Sequence, residues 1–330
     1  MRAMPDDDFL PDFDTDPTID PPRAAPRLTW LADRGAVLAL GCVAGFMVGL
    51  AYRPAPAPPP RAAPFAGPSA PAASPIAPTA VPAASEATPD PRAVARVRAA
   101  NGTFRIGVFG DSFGNGVWDA LYHQLPRSRG YDVLRFSKEA TGFTRYRQLD
   151  IEERAKAQLA AQPIDAAVIS FGANDNQPLF AEGHLHPLMS AGWQRIVGAR
   201  IAQFVATVRS TGAIVYWIGL PVMRDPVMDA QMQAMDGFYE QQMARLGVTF
   251  VDSRPMSLDP AGRYSAYLPD AAGVPRLMRT GDGVHMIGVG YQRLTAGTAE
   301  RIARYAGRVR AAAGVPTPGP TPASPAREGR

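Results

Sequence analysis

Three short blocks carry the residue types of acyl-transfer chemistry: Gly110-Asp111-Ser112, Gly172-Ala173-Asn174-Asp175 and Asp282-Gly283-Val284-His285. A serine hydroxyl is a poor nucleophile at neutral pH. It needs an adjacent base, usually histidine, held in the right tautomer by a third group. Among four histidines (His123, His184, His186 and His285), only His285 has an aspartate three residues upstream. One tight turn then lets Asp282 orient the ring, with Ser112 as nucleophile and His285 as base. Attack on an ester makes an oxyanion that preorganised donors must hold. The side-chain amide of Asn174 is such a donor, and Asp175 is a rival to Asp282 for the orienting acid. His184-Leu185-His186 has no Cys or carboxylate cluster to complete a metal site, so neither a metal nor a cofactor is expected.

Each block needs an element to present it. Residues 104–109 read as a buried strand, ended by Gly110, and residues 113–125 show apolar residues at helical spacing (Val117, Leu121, Leu125). Ser112 thus falls at a strand-to-helix turn, beside the free N–H groups of a helix start; a simple helix cap is the plainer reading of a serine there. Further strands are predicted at 131–136, 166–171, 213–219 and 248–252. Helices are predicted from about Trp193 through 208, over 228–246 and over 287–311. This alternation predicts a three-layer α/β/α sandwich around a five-stranded parallel sheet. Right-handed crossovers put the loops after the first four strands on one edge, and Asp282 and His285 reach that edge from the start of the last helix.

Two irregular stretches border the blocks. Residues 176–193 include Trp193, and residues 254–279 include Tyr264 and Arg279. Aromatic and arginine side chains suit sugar stacking and anionic groups, so Trp193, Tyr264 and Arg279 are the expected substrate-binding residues, against a plain packing role. The methionines of the 228–246 helix read as core packing, with an acyl groove as the sharper alternative.

The three blocks, in this order, resemble the SGNH (GDSL-type) hydrolases. The resemblance implies a flavodoxin-like sheet, Ser112 as nucleophile, Asp282 and His285 as the rest of the triad, and an oxyanion hole from Ser112, Asn174 and a loop glycine, for which Gly142 is the best match. Gly172 to Gln177, residues 216–221 (Tyr-Trp-Ile-Gly-Leu-Pro), residues 259–267 and Gly281 to His285 are similar to a bacterial envelope-associated subfamily known only as a domain of unknown function. The likeness covers about residues 103–310.

Composition divides the chain. Thirty-four prolines are concentrated in the first hundred residues and the last twenty of 330. Residues 1–34 begin with an acidic, proline-containing tail that cannot bury enough apolar surface to order itself. Residues 35–52 run without a charge over eighteen positions; at ~1.5 Å per residue this is roughly 27 Å, close to the hydrocarbon thickness of a bilayer. Arginines on the amino side favour a cytoplasmic amino terminus; a cleaved signal peptide is the alternative. Residues 53–99 form an Ala/Pro-rich linker, residues 100–312 the catalytic domain, and residues 313–330 a second disordered tail. One cysteine excludes an internal disulfide, and a net charge of +4 without a basic stripe interleaved with aromatics argues against nucleic acid.

The combined expectation is a single-pass protein of the bacterial inner membrane. Its domain lies outside the cytoplasm and acts as a serine esterase on an acyl group, above all O-acetyl, of an envelope or exported glycan. The expected partners are that acylated glycan, the membrane and cell-envelope proteins. An O-acyltransferase using the same triad, or a non-catalytic scaffold module, are the other readings.

Overall fold

The computed structural model describes residues 87–270 and 272–316. The expected acidic tail, the apolar run at 35–52, nearly all of the linker before residue 87 and the residues after 316 lie outside them. Among the described residues no helix is long and apolar enough to cross a membrane.

Five parallel strands form the central sheet in the order β2-β1-β3-β6-β7. They are β1 (Phe104–Gly110), β2 (Tyr131–Arg135), β3 (Ala166–Ser170), β6 (Ile214–Ile218) and β7 (Thr249–Val251). Every residue of β3 is buried, as a central strand covered on both faces requires. All five strands fall where the apolar runs predicted them. Two short antiparallel hairpins stand apart from the sheet: β4 (Leu179–Ala181) with β5 (His184–His186), and β8 (Tyr267–Pro269) with β9 (Pro275–Leu277).

The crossovers are helices α2 (Ser112–Gln124), α3 (Ile151–Ala161), α4 (Ala191–Arg209) and α5 (Pro226–Leu246), and α6 (Gly288–Ala313) closes the domain. With right-handed connections, β1-α2-β2 runs toward one edge of the sheet while β2-α3-β3 and its successors run toward the other. Accordingly α2 packs with α6 on one face, while α3, α4 and α5 pack in series on the other. The change of direction falls between β1 and β3, and such a switch point opens a crevice at the carboxyl ends of its strands. Ser112 follows β1, and Asn174 follows β3.

Two helices were not foreseen. Helix α1 (Pro91–Ala99) begins inside the stretch assigned to the linker, whose expected boundary at residue 99 is therefore corrected. Asp90 caps it by accepting from Arg92 N at 2.8 Å, and Pro91 occupies the first turn, where its missing N–H costs nothing. Ala93 and Val97 are buried, and α1 packs on α6. Its alanines and proline continue the linker's composition, which hid the boundary. Helix α3 is mostly polar; only Ile151, Ala155 and Leu159, four residues apart, reach the core. Its start is marked by Asp150, which accepts from Glu152 N and Glu153 N at 3.0 and 3.1 Å.

The core beneath the crevice is aromatic. Phe143 lies within 5.0–6.0 Å, centroid to centroid, of Phe171, Phe204 and Trp217. Met232, Met235 and Met243 of α5 are fully buried, in keeping with packing rather than an open groove.

Candidate active site

The β1–α2 turn is tight enough to select its residues. Gly110 has φ +153°, and a Cβ there would lie 2.1 Å from the Ser170 carbonyl oxygen. Only glycine lets β1 run this close to β3 before the chain turns into α2. Asp111, not Ser112, caps the helix: its Oδ1 accepts from Phe113 N at 2.9 Å. Ser112 is the first helical residue, and its hydroxyl is free for another partner.

That partner is His285. Ser112 Oγ lies 2.8 Å from His285 Nε2, and His285 Nδ1 lies 2.7 Å from Asp282 Oδ2. With Nδ1–H donating to the carboxylate, Nε2 is left to accept from the serine hydroxyl, the tautomer a general base requires. Asp282 also shapes its own turn, since Oδ1 accepts from Val284 N at 2.8 Å, His285 N at 3.0 Å and the Thr280 hydroxyl. Partial burial works against this carboxylate, but the hydrogen bonds from Thr280, from the His285 ring and from the two backbone N–H groups outweigh it. They hold the carboxyl well below its ordinary range, so Asp282 stands beside the His285 ring as an anion at neutral pH. Phe113 stacks on the imidazole at 5.0 Å and 25°, setting the ring plane from the nucleophile's own helix.

The turn is pinned from outside as well. Arg224 donates to the Gly281 and Asp282 carbonyls at 3.1 and 3.0 Å, and Arg279 donates to the carbonyls of Val222 and Val284 at 2.6 and 3.3 Å. The loop after β6 thereby carries the His285 turn on two guanidinium groups.

Three candidate donors sit on the turns that follow β1, β2 and β3. The backbone N–H groups of Ser112 and Gly142 form no hydrogen bond to another described residue. Asn174 sits in a 3-10 turn, Ala173–Asp175, with its Nδ2 3.3 Å from Asp111 Oδ2. Asp111 accepts from Gly172 N at 3.4 Å through the same oxygen, so one buried carboxylate ties the turn after β1 to the turn after β3. Burial pushes the Asp111 carboxyl up to about 6 against the Phe113 hydrogen bond, and the nearby Asp175 adds to the rise.

Asp175 has no hydrogen bond to His285. Its Oδ2 accepts from Phe143 N at 3.0 Å, and its Oδ1 from Thr144 N and Thr144 Oγ1, both at 2.7 Å. Its rivalry with Asp282 for the orienting position is thus resolved in favour of Asp282. Asp175 instead fastens the Gly142 loop to the Asn174 turn. It fits only because residue 142 lacks a side chain, since a Cβ there would meet Asp175 Oδ1 at 2.4 Å.

The expected substrate contacts fare differently. Trp193 is fully buried, donates to the Gln177 carbonyl at 3.1 Å and packs edge-on against Phe238 at 5.5 Å. Arg279 is 1% exposed and donates to one carbonyl of the loop after β6, Val222, and one of the His285 turn, Val284. Neither has a face left for a substrate, so both expectations are corrected to structural roles. Tyr264 is half-buried and lies under the Arg279 guanidinium at 5.1 Å. His184 and His186 stand on the β4–β5 hairpin with ring centroids 4.1 Å apart. His186 is buried, and Arg195 takes the neighbouring Glu182.

Sequence reasoning missed the supporting carboxylates Asp111 and Asp175 and the clamp from Arg224. A local signal existed for the first, because Asp immediately before an apolar helical run is a strong N-cap. No local pattern marks the other two, whose partners lie 31 to 58 residues away.

Fold and site together define an open parallel α/β domain with a hydrogen-bonded Ser112–His285–Asp282 line at its switch point. Residues 105–301 match the family described as "Protein of unknown function (DUF459)", and the chain belongs to that family. No curated protein matches the chain. Distant solved structures resemble it. A GDSL-like lipase from Bacteroides thetaiotaomicron is 17% identical over 64% of this chain and 98% of its own, with a TM-score of 0.42. The carbohydrate acetylesterase Est24 from Sinorhizobium meliloti is 16% identical over 61% and 99%, TM-score 0.42. The periplasmic domain of a lipopolysaccharide acetyltransferase from Salmonella ser. Paratyphi A is 10% identical over 64% and 88%, TM-score 0.42. Likenesses of this size leave the chemistry to be argued from the chain's own residues.

Proposed function

We propose that the protein is a serine ester hydrolase that removes acyl groups, O-acetyl above all, from a glycan of the cell envelope or an exported polysaccharide. The observation that carries this reading is the continuous hydrogen-bonded line from Ser112 Oγ through His285 to Asp282, at 2.8 and 2.7 Å. At its serine end, the backbone N–H of Ser112 bonds no other described residue, and neither does that of Gly142 on the loop after β2.

The chemistry follows from the geometry. As Ser112 Oγ attacks the ester carbonyl, its proton passes to His285 Nε2, and Asp282 stabilises the imidazolium through Nδ1–H. The carbonyl oxygen becomes an oxyanion held by the N–H groups of Ser112 and Gly142 and by the Asn174 amide. Collapse breaks the C–O bond to the sugar, and the departing oxygen takes the proton from His285. Water then repeats the sequence on the acyl-serine, giving the free acid and the serine hydroxyl. The glycan assignment rests on the sequence outside the folded domain, where an apolar run long enough to span a bilayer precedes an Ala/Pro-rich tract that can extend far from the membrane. On this reading the domain works outside the cytoplasm, tethered by a single span with its amino terminus inside.

A fluorophosphonate probe labels Ser112, and Ser112→Ala abolishes both labelling and acetate release from acetylated oligosaccharides. Undiminished turnover in that variant refutes the proposal.

A further inference from the structure

A second opening lies at the carboxyl end of β2. An open cleft of about 520 Å³ is lined by Arg135, Ser137, Lys138, Glu139 and Arg154. Three of its five lining residues are cations. Elsewhere on the same elements cations are paired, Arg127 with Asp132 at 2.9 Å and Lys156 with Glu152 and Glu153 at 2.9 and 2.6 Å. Arg135, Lys138 and Arg154 form no ion pair with any described residue. Instead, Arg135 lies 5.4 Å over the Trp118 ring and donates from Nε to Asn115 Oδ1 at 3.1 Å, which fixes its guanidinium. Arg154 has its Nε buried without a partner. The one carboxylate of the cleft, Glu139, is occupied by the Asn115 amide at 2.8 Å.

The cleft is built onto the catalytic machinery. Asn115 lies three residues after Ser112, on the same side of α2, and accepts from Ser137 Oγ at 2.6 Å while holding Arg135 and Glu139. Lys138 N donates to the Gly110 carbonyl at 2.9 Å, and four residues later the same loop presents Gly142. Strands β2 and β1 are neighbours, so roughly 5 Å of sheet separates the end of one from the end of the other.

We infer that this cleft is a subsite for an anionic group on the substrate. The glycan deacylated at Ser112 is therefore an acidic one, whose carboxylate or phosphate is held by Lys138, Arg154 and Arg135 on or beside the sugar that carries the ester. Two planar guanidinium groups and a mobile ammonium lining one opening, against the single carboxylate of Glu139, suit an anionic oxygen group better than a neutral sugar. The assignment of the ester chemistry rests on the proposed function, but the subsite itself is a matter of binding.

Binding is measured by calorimetry with the full-length Ser112→Ala chain, using an unacetylated oligouronate, a phosphate-bridged oligosaccharide and a neutral oligoglucan of equal length. The expected result is at least about ten-fold tighter binding of an anionic oligomer than of the neutral one, weakening as salt rises. The stronger anionic arm identifies carboxylate or phosphate as the group recognised. In Lys138→Ala/Arg154→Gln the preference collapses, and in the active enzyme the ratio of kcat/KM for acidic over neutral acetyl esters falls about ten-fold. Equal binding of all three oligomers, or a parallel fall for acidic and neutral esters in the double variant, overturns the subsite. Anion-selective binding by a chain that releases no acetate from any ester keeps the subsite and refutes the hydrolase instead.

Discussion

The imidazole of His285 is held at both nitrogens, and the two contacts ask different things of their partners. Asp282 must accept at Nδ1 while its other oxygen accepts two backbone N–H groups. In Asp282→Asn the remaining carbonyl oxygen can serve the backbone, but the amide then points a donor at Nδ1 and forces the opposite tautomer. The turn survives, and kcat for acyl-ester hydrolysis is expected to fall on the order of 10³- to 10⁴-fold with little change in melting temperature. A loss under ten-fold would remove Asp282 from the proposed triad. Asn174→Ala deletes one of the proposed oxyanion donors, at an expected cost of about 3 kcal/mol in the barrier, read as a drop of 10²- to 10³-fold in kcat with KM nearly unchanged. A change confined to KM would place Asn174 in ground-state binding only.

At the level of elements, the site is an agreement between loops that are distant in the chain. The Asn174 turn holds the Gly142 loop through Asp175, and Asp111 holds the Asn174 turn. Asp175→Asn keeps one acceptor but aims an N–H at Phe143 N or Thr144 N. This leaves a buried donor unpaired at about 1–3 kcal/mol of stability and loosens the Gly142 donor. The expected outcome is a kcat reduced ten-fold or more, together with a lower unfolding midpoint in urea. Full activity in a folded Asp175→Asn protein would show that the Gly142 loop needs no such brace. Helix α1 contributes stability of a different kind. Arg96 donates to Asp165 at 2.9 Å, and Asp165 is 1% exposed. Arg96→Ala leaves that buried carboxylate with the Arg105 N–H as its remaining partner and no counter-charge in contact, and is expected to cost on the order of 2 kcal/mol in chemical denaturation, discounted for the partial exposure of the arginine.

For the whole domain, buried carboxylates set how stability depends on pH. Burial pushes Asp236 up to about 7 against the hydrogen bonds it accepts from Leu220 N at 3.0 and 3.2 Å, and Asp111 rises to about 6. Between about pH 4 and 7 the folded state therefore keeps protons that the unfolded chain has released, so these groups make stability fall as pH rises. Asp282 acts in the opposite sense: its contribution is present above about pH 4 and is lost as pH falls through its depressed value. Asp236→Asn removes one of the acid-favouring groups. The fall in melting temperature from pH 5 to pH 8 should be smaller in that variant than in the parent, by a difference on the order of 5 °C. Identical pH profiles would mean that Asp236 does not titrate in this window.

The strands and the principal helices were legible because apolar runs and 3.6-residue spacing are local properties. Ser112, Asn174, Asp282 and His285 were legible because each belongs to a short block with a characteristic composition. Helix α1 was hidden by an alanine and proline content shared with the linker, and α3 by a polar surface with three core residues. What the local patterns could not contain is the set of long-range partners. Trp193 and Arg279 have the chemistry of substrate-binding residues, yet packing buries one against Phe238 and spends the other on backbone carbonyls. Asp175 looked able to orient His285, and only the approach of the Gly142 loop, made possible by the missing Cβ, assigned it elsewhere. The sequence by itself determined which groups are available for acyl chemistry and which elements carry them, because both depend on residue type and short-range order. Tertiary structure decided which carboxylate meets His285 and which cations remain unpaired, because a side chain's partner is set by the element that folds against it.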